Sequence, residues 1–405
     1  MPTHSLKLGE IEGTVETNII PKIMDENIIS CSFFYMKGVE DKYTKSLTKL
    51  ILDFKKDYFK NTTHKIRLYY DITSKKIVES KFKNIDYVQL YFYHFPQFFS
   101  EKNKTHYGFV GTLIRYLPLF SIPNHQAKNC WILDIDGDLR KHNYNIIDYV
   151  EKNKEIKLFH KTRLNYFSDR IILIKNRSDF SMISNFLYQR SPISSNILSD
   201  FLNTLLSKDD TNIYNKYLKD LISIMKKRIQ LKMYYKKRID LNMIPFQYGV
   251  DEYFMNRDFF HYYKNNNIPI HTIFFHTDIL TGIKMHADLL RLNDIKNSST
   301  LELYMNKVYY LIDKNIKINS VKQYYDLIDS FQENRAKNKV KFERNICRSK
   351  HFQRFFKKLN PAHINMPYYI YKKIKLSFKY CFLKEMPILK YTNNKYEEIT
   401  KIPFS

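Results

Sequence analysis

Residues 106–120 read H-Y-G-F-V-G-T-L-I-R-Y-L-P-L-F, and residues 129–139 read N-C-W-I-L-D-I-D-G-D-L. In the first segment Phe109, Leu113, Tyr116, Leu117 and Phe120 recur at helical spacing, with Arg115 among them and Pro118 near the end. That pattern predicts a short buried helix. The second segment is an apolar run, Trp131-Ile132-Leu133, that stops at three alternating carboxylates, Asp134, Asp136 and Asp138. Side chains alternate faces along a strand, so a continued strand would aim all three the same way. Like charges on one face repel unless a cation lies between them, and hard oxygen ligands at this spacing suit Mg²⁺ or Mn²⁺. The alternative is a solvated acidic turn without a metal.

Working outward, strands are expected at 28–37, 65–70 and 87–93, with helical spacing over 43–59. The alternation predicts an α/β class, with a mostly parallel sheet flanked by helices. Ligands of such sheets sit outside the carboxyl ends of the strands, where Asp71 and the aspartate cluster fall. Asp71 reads either as a cap of a turn or helix or as a ligand contact. Residues 1–27 are polar and pattern-poor and are expected to form a loose arm. A further strand is expected at 170–174 and helical structure over 181–206. A long helix is expected over 214–242, whose basic clusters, Lys226-Lys227-Arg228 and Lys236-Lys237-Arg238, read as a solvated face. The domain is expected to span 28–284, followed at 285–405 by a helical basic region rich in Tyr and Phe.

A chain of 405 residues can bury a sizeable core. Its formal charge of +26 invites a nucleic-acid partner. The abundance of Asn, Ile, Tyr and Phe beside only 8 Gly is the pattern of an AT-rich coding bias, which accumulates lysine without selection for charge. Nucleic acid is therefore a less favoured partner than the charge alone implies. Cys31, Cys130, Cys347 and Cys381 are far apart and form no Cys-x-x-Cys pair, so neither a zinc site nor a disulfide framework is indicated. No signal peptide or transmembrane run is legible, and a cytoplasmic location is expected, in the host cytoplasm or virion if the protein is viral. No P-loop, Gly-x-Gly-x-x-Gly, His-Glu-x-x-His or Gly-x-Ser-x-Gly element is present, which removes support for those chemistries.

A second informative stretch, residues 244–256, reads I-P-F-Q-Y-G-V-D-E-Y-F-M-N. Gly249 would allow a close backbone approach, and Asp251 and Glu252 would open a helix. They read either as ordinary N-terminal acids or as groups that enter a cleft. Taken together, the arginine-bearing helix, the apolar strand ending in Asp-x-Asp and this later segment resemble nucleotide-sugar-dependent glycosyltransferases of the GT-A fold, similar to those of large viruses. The resemblance covers roughly residues 28–278, with gaps. It implies that Asp134 and Asp136 hold Mn²⁺ or Mg²⁺ against the donor diphosphate, with Asp138 a further ligand or a cap. It also implies that Arg115, Asp71 and Asp134 contact the donor, and that Asp251 and Glu252 face the acceptor as catalytic or positioning acids. The resemblance also implies a late histidine, His276 or His271, as a third metal ligand, although a histidine beside a strand is commonly structural. The implied partners are a nucleotide-sugar donor, such as a UDP-sugar, and a glycan or protein acceptor. Two other classes remain open: a catalytically silent viral structural protein with a transferase-like fold, and a two-metal phosphodiesterase or nucleotidyltransferase.

Overall fold

The computed structural model describes residues 2–34, 40–56, 58–101, 104–135, 141–163, 182, 185–206, 250–276, 385–393 and 395–403. The first surprise is the amino terminus. In place of a loose arm, β1 (Thr3–Leu8) and β2 (Ile11–Thr17) form an antiparallel hairpin in which Leu8 faces Ile11. Gly9, with φ of +65°, takes the first central position of the two-residue turn, where a left-handed backbone suits glycine. Leu6, Leu8, Ile11 and Val15 are buried at alternating positions. The apolar residues are few, but their period of two places all of them on the core face.

The chain then builds a doubly covered sheet. β3 (Asp25–Phe33) leads through α1 (Glu40–Phe54) to β4 (Lys65–Tyr70), and α2 (Lys75–Phe82) leads to β5 (Val88–His94). A short ribbon of β6 (Phe99–Ser100) and β7 (Thr105–His106) introduces α3 (Gly108–Ile114), which returns the chain to β8 (Ala127–Ile132). Next come α4 (Lys141–Lys152), β9 (Leu158–Arg163), β10 (Leu187–Arg190) and α5 (Asn196–Leu206). The strand β10 and the helix α5 replace the continuous helix expected over 181–206. Further on, α6 (Val250–Phe254) passes through a π-helical turn (Met255–Phe259) into α7 (Phe260–Asn265), then β11 (Ile270–His276). The last described elements are β12 (Glu385–Thr392) and β13 (Lys395–Pro403), a hairpin where helical structure was expected up to residue 405. The expected strand at 170–174 and helix over 214–242 lie outside the described residues.

Among the described residues one sheet has the order β1-β2-β5-β4-β3-β8-β10-β9-β11-β12-β13. β5, β4, β3 and β8 are mutually parallel, β10 runs against β8 and β9, and β11 is parallel to β9. The fold is therefore α/β, with a mixed sheet whose centre is parallel and whose two margins are antiparallel hairpins. Successive residues serve opposite layers. Ile28, Tyr69 and Ile132 join the core shared with α3, α5 and α6, whereas Ile29, Tyr70 and Trp131 join the core under α1, α2 and α4. These strands are buried on both faces, which is why they read as continuous apolar runs. Trp131 anchors the second layer, stacked at an angle on Tyr188 and Phe186, with its indole N–H donating to Glu151 Oε1 at 2.8 Å. No helix among the described residues is long and apolar enough to cross a membrane.

The order reverses beside β3. The chain adds β4 and β5 on one side of β3, then crosses back to lay β8 on the other. In open α/β sheets the carboxyl edge at such a switch point is where ligands bind, because the flanking connections part there.

Three buried histidines make the fold sensitive to acid. Burial, with Arg67 and His4 adding to it, holds the pKa of His125 well below the ordinary 6.5. Burial also brings His160 and His271 down to about 4. The unfolded chain takes up these protons near pH 6.5 and the folded chain does not. The stabilisation is thus complete above that value and is lost as pH falls toward 4, at up to about 1.4 kcal/mol per pH unit for each histidine. Urea titrations at a series of pH values should show His160→Gln flattening this slope by about that amount. An unchanged slope would place the proton uptake elsewhere.

Candidate functional site

The carboxyl edge at the switch point is organised by one guanidinium. Pro118 forces the chain out of α3 into a single 3-10 turn, Leu117–Leu119, so the helix ends with Arg115 at its C-cap. The hydroxyl of Ser30 on β3 donates to the Arg115 carbonyl at 2.6 Å and fixes this end of the helix over the sheet. Close approach on the same side depends on Gly111. A Cβ there would lie 2.1 Å from the ring of Phe34, just beyond β3, so only glycine lets α3 lie this close.

From that position Arg115 joins two distant segments. Its Nη1 donates to Asp134 Oδ1, two residues past the end of β8, and to the Leu133 carbonyl at 3.3 Å. Its Nη2 donates to Asp251 Oδ2 at 3.0 Å, in the first turn of α6 and 136 residues away in sequence. The two acidic stretches singled out in the sequence therefore converge, with an arginine between them. Asp251 spends its other oxygen on the backbone N–H of Glu252, at 2.9 Å. The three charged groups differ in their surroundings. The side chains of Arg115 and Asp251 are each 6 % exposed, whereas that of Asp134 is 31 % exposed and opens outward. Burial opposes the charge on Arg115, but Asp134, with Tyr116 and Asp251, lifts its pKa well above the usual value, so it stays a cation. Among the described residues, two carboxylates thus face one guanidinium at this edge. The same surroundings push the buried Cys31 thiol up to about 12, chiefly by burial, so this cysteine is not a nucleophile at neutral pH.

Asp71 also lies at the carboxyl edge, but its oxygens are engaged. Oδ1 accepts from the Thr73 backbone N–H at 3.1 Å and from the Thr73 hydroxyl, and Oδ2 faces His106 Nδ1 at 3.4 Å. His106 Nε2 accepts the Phe95 backbone N–H at 3.0 Å, which places the ring proton on Nδ1, toward Asp71. Of its two readings, the geometry is that of a turn cap. Glu252 is buried next to Asp251. Asp136, Gly137, Asp138 and Gly249 lie outside the described residues. The backbone of His276 ends β11, three strands from β8 and so on the order of 14 Å from it along the sheet edge. His271 is the second residue of that strand, toward the opposite edge.

The sequence also carried a second buried arginine that motif reading passed over. Arg67, inside β4, donates to Gln89 Oε1 at 2.9 Å, to Asp25 and to the His125 carbonyl, and lies 4.5 Å from the Tyr91 ring centre. Its signal is an arginine inside the apolar strand Ile66-Arg67-Leu68-Tyr69-Tyr70. Asp25 opens β3 and His125 precedes β8, so this network braces the amino edge, away from the candidate site. Compared with known proteins, the chain matches no family model and no curated sequence.

The unequal burial of the two carboxylates predicts unequal costs. Asp251→Ala, which strands buried charge on Arg115, should cost about 3 kcal/mol in urea unfolding, and Asp134→Ala about 1 kcal/mol. Arg115→Lys should cost more than Asp134→Ala, since an ammonium cannot span both carboxylates. Equal losses from the two aspartates would show that Arg115 does not bridge them in solution.

Proposed function

We propose that the chain is a metal-dependent glycosyltransferase of GT-A-like architecture, which moves a sugar from a nucleotide-sugar donor, such as a UDP-sugar, to a glycan or protein hydroxyl. The observation that carries this reading is the Arg115 bridge, which holds the aspartate segment after β8 and the acidic start of α6 together at the switch point of the sheet. A transferase requires this juxtaposition. Donor phosphates must be held on one wall and an acceptor hydroxyl presented from another, within reach of the anomeric carbon.

Support for a divalent cation lies in the sequence more than in the geometry: among the described residues no cluster of three metal-ligating side chains is present, Asp134 is 31 % exposed and paired with Arg115, and Asp136 and Asp138 follow it at ligand spacing in the sequence. When bound, Mn²⁺ or Mg²⁺ would neutralise the charge that develops on the leaving nucleoside diphosphate. The chain's own contribution is orientation. Arg115 ties Asp134 to the end of α3 and to the start of α6. Asp251 has both oxygens engaged and is therefore a positioning residue acting through Arg115. Glu252, in the same helical turn, is the carboxylate assigned to the acceptor hydroxyl, as general base in an inverting reaction or as an orienting group in a retaining one.

The reading is tested by following release of nucleoside diphosphate from a panel of nucleotide sugars, with and without Mn²⁺. Release should require the cation and should fall about a hundredfold or more in Asp136→Ala. Calorimetry with UDP and Mn²⁺ should show binding that the same substitution removes. Absence of cation-dependent release and of cation-dependent nucleotide binding would overturn the transferase assignment.

A further inference from the structure

The edge of the sheet opposite the candidate site carries an unusual surface. Between β2 and β3 the chain runs Asn18-Ile19-Ile20-Pro21-Lys22-Ile23-Met24, crossing below the amino ends of β5 and β4. Its entry is fixed by Asn18, whose amide donates to the Val88 carbonyl at 3.2 Å and accepts the Leu90 N–H at 2.7 Å. Its exit is fixed by the Asp25 N–H, which donates to the Gln126 carbonyl at 3.1 Å. Between these anchors Ile20 is 86 %, Ile23 74 % and Met24 46 % exposed. Three large apolar side chains on one short, pinned loop contribute nothing to the core, and singly scattered exposure does not account for them.

The surrounding charge is basic. Lys22 lies within the loop, and Lys65, Lys83 and Lys128 are exposed on the elements at its ends. Lys83 is adjoined through its carbonyl to Asn18, and Lys128 stands beside Glu26 at the start of β3. Of the exposed acids, Glu26 is paired with Lys128 at 3.3 Å, Glu12, further back on β2, is paired with Lys7, and Asp86 precedes β5, so Lys22, Lys65 and Lys83 leave lysine in excess. The chain as a whole carries +26.

We propose that this edge is a docking surface for an anionic lipid bilayer, with Ile20, Ile23 and Met24 entering the interfacial region and the lysines meeting the headgroups. Two physical terms act together: apolar side chains leave water, and each lysine near an anionic surface strengthens attachment roughly fivefold. A nucleic-acid partner would be met by lysines with stacking aromatics, and the exposed tip has branched and thioether side chains in their place. The carboxyl edge then faces away from the bilayer, because the loop and the Arg115 bridge occupy opposite ends of the same parallel strands. This inference does not depend on the transferase reading.

The test is co-sedimentation of the full chain with phosphatidylcholine vesicles, with and without phosphatidylserine, at low and high salt. Binding should require phosphatidylserine and weaken with salt. The double substitution Ile20→Ser/Ile23→Ser should reduce binding at least tenfold with an unchanged melting temperature, and Lys22→Glu/Lys83→Glu should reduce it comparably. Wild-type protein remaining in the supernatant would overturn the proposal. So would vesicle binding that both variants retain, which would assign attachment to another surface, or concentration-dependent dimerisation through the loop without vesicle binding. Retention that a nuclease abolishes and the loop variants leave intact would assign the basic charge to nucleic acid instead.

Discussion

A buried arginine is tolerable only when its charge and its donors are met, and Arg115 meets this requirement by drawing together parts of the chain that no local rule would bring into contact. One carboxylate comes from the end of β8, the other from α6, and the arginine itself closes α3. Removing the guanidinium would leave Asp251, 6 % exposed, without its cationic partner. The position of α6 over the sheet, and with it the layer containing Tyr253 and Phe254, is therefore tied to the electrostatics of one side chain. The aromatic contacts between Phe254 and the rings of Phe120 and Phe201 supply burial, but a hydrophobic contact is not directional and tolerates sliding. The guanidinium, bonded once to each of two carboxylates, is directional and sets the register.

The amino edge repeats the device with a different outcome. Arg67 is wholly buried, and its partners, Asp25, Gln89 and the His125 carbonyl, all belong to the first half of the chain. Here the groups are enclosed and lead nowhere, as expected of a brace between strands. At the carboxyl edge one of the carboxylates, Asp134, remains open to solvent. The contrast between a closed network and an open one is the physical reason for placing function at the second. A polar network that is completed by the protein stabilises, whereas one with an exposed acidic member can accept something from outside.

The connection between Asn256 and residue 182 extends the same framework. The Asn256 amide both accepts from the Met182 N–H and donates to its carbonyl, each at 2.9 Å, and also donates to the Glu252 carbonyl at 2.8 Å. One side chain in the π-helical turn thus meets both backbone groups of Met182. The backbone of Glu252 is in this way held twice, its N–H by Asp251 and its carbonyl by Asn256.

Much of this was legible in the linear pattern. The doubly buried strands announce themselves as apolar runs, and the short helix before β8 follows from the spacing of Phe109, Leu113 and Tyr116 and from Pro118. Arg115, inside an apolar helical pattern, calls for a buried partner, because an unpaired guanidinium costs several kcal/mol, and Arg67 inside the apolar strand β4 carries the same signal without any motif to draw attention to it. The sequence could not say which carboxylates those were. Pairing of Arg115 with Asp251 spans 136 residues and depends on how α6 packs, a property of the assembled layers. The terminal hairpins were misread for a related reason. Residues 3–17 and 385–403 have too few apolar positions, or too mixed a pattern, to declare a strand locally, and they become strands because a sheet edge offers its unpaired N–H and C=O groups. Local chemistry determined which groups needed partners, and only the tertiary structure, through the packing of distant elements around the sheet, decided which partners they received.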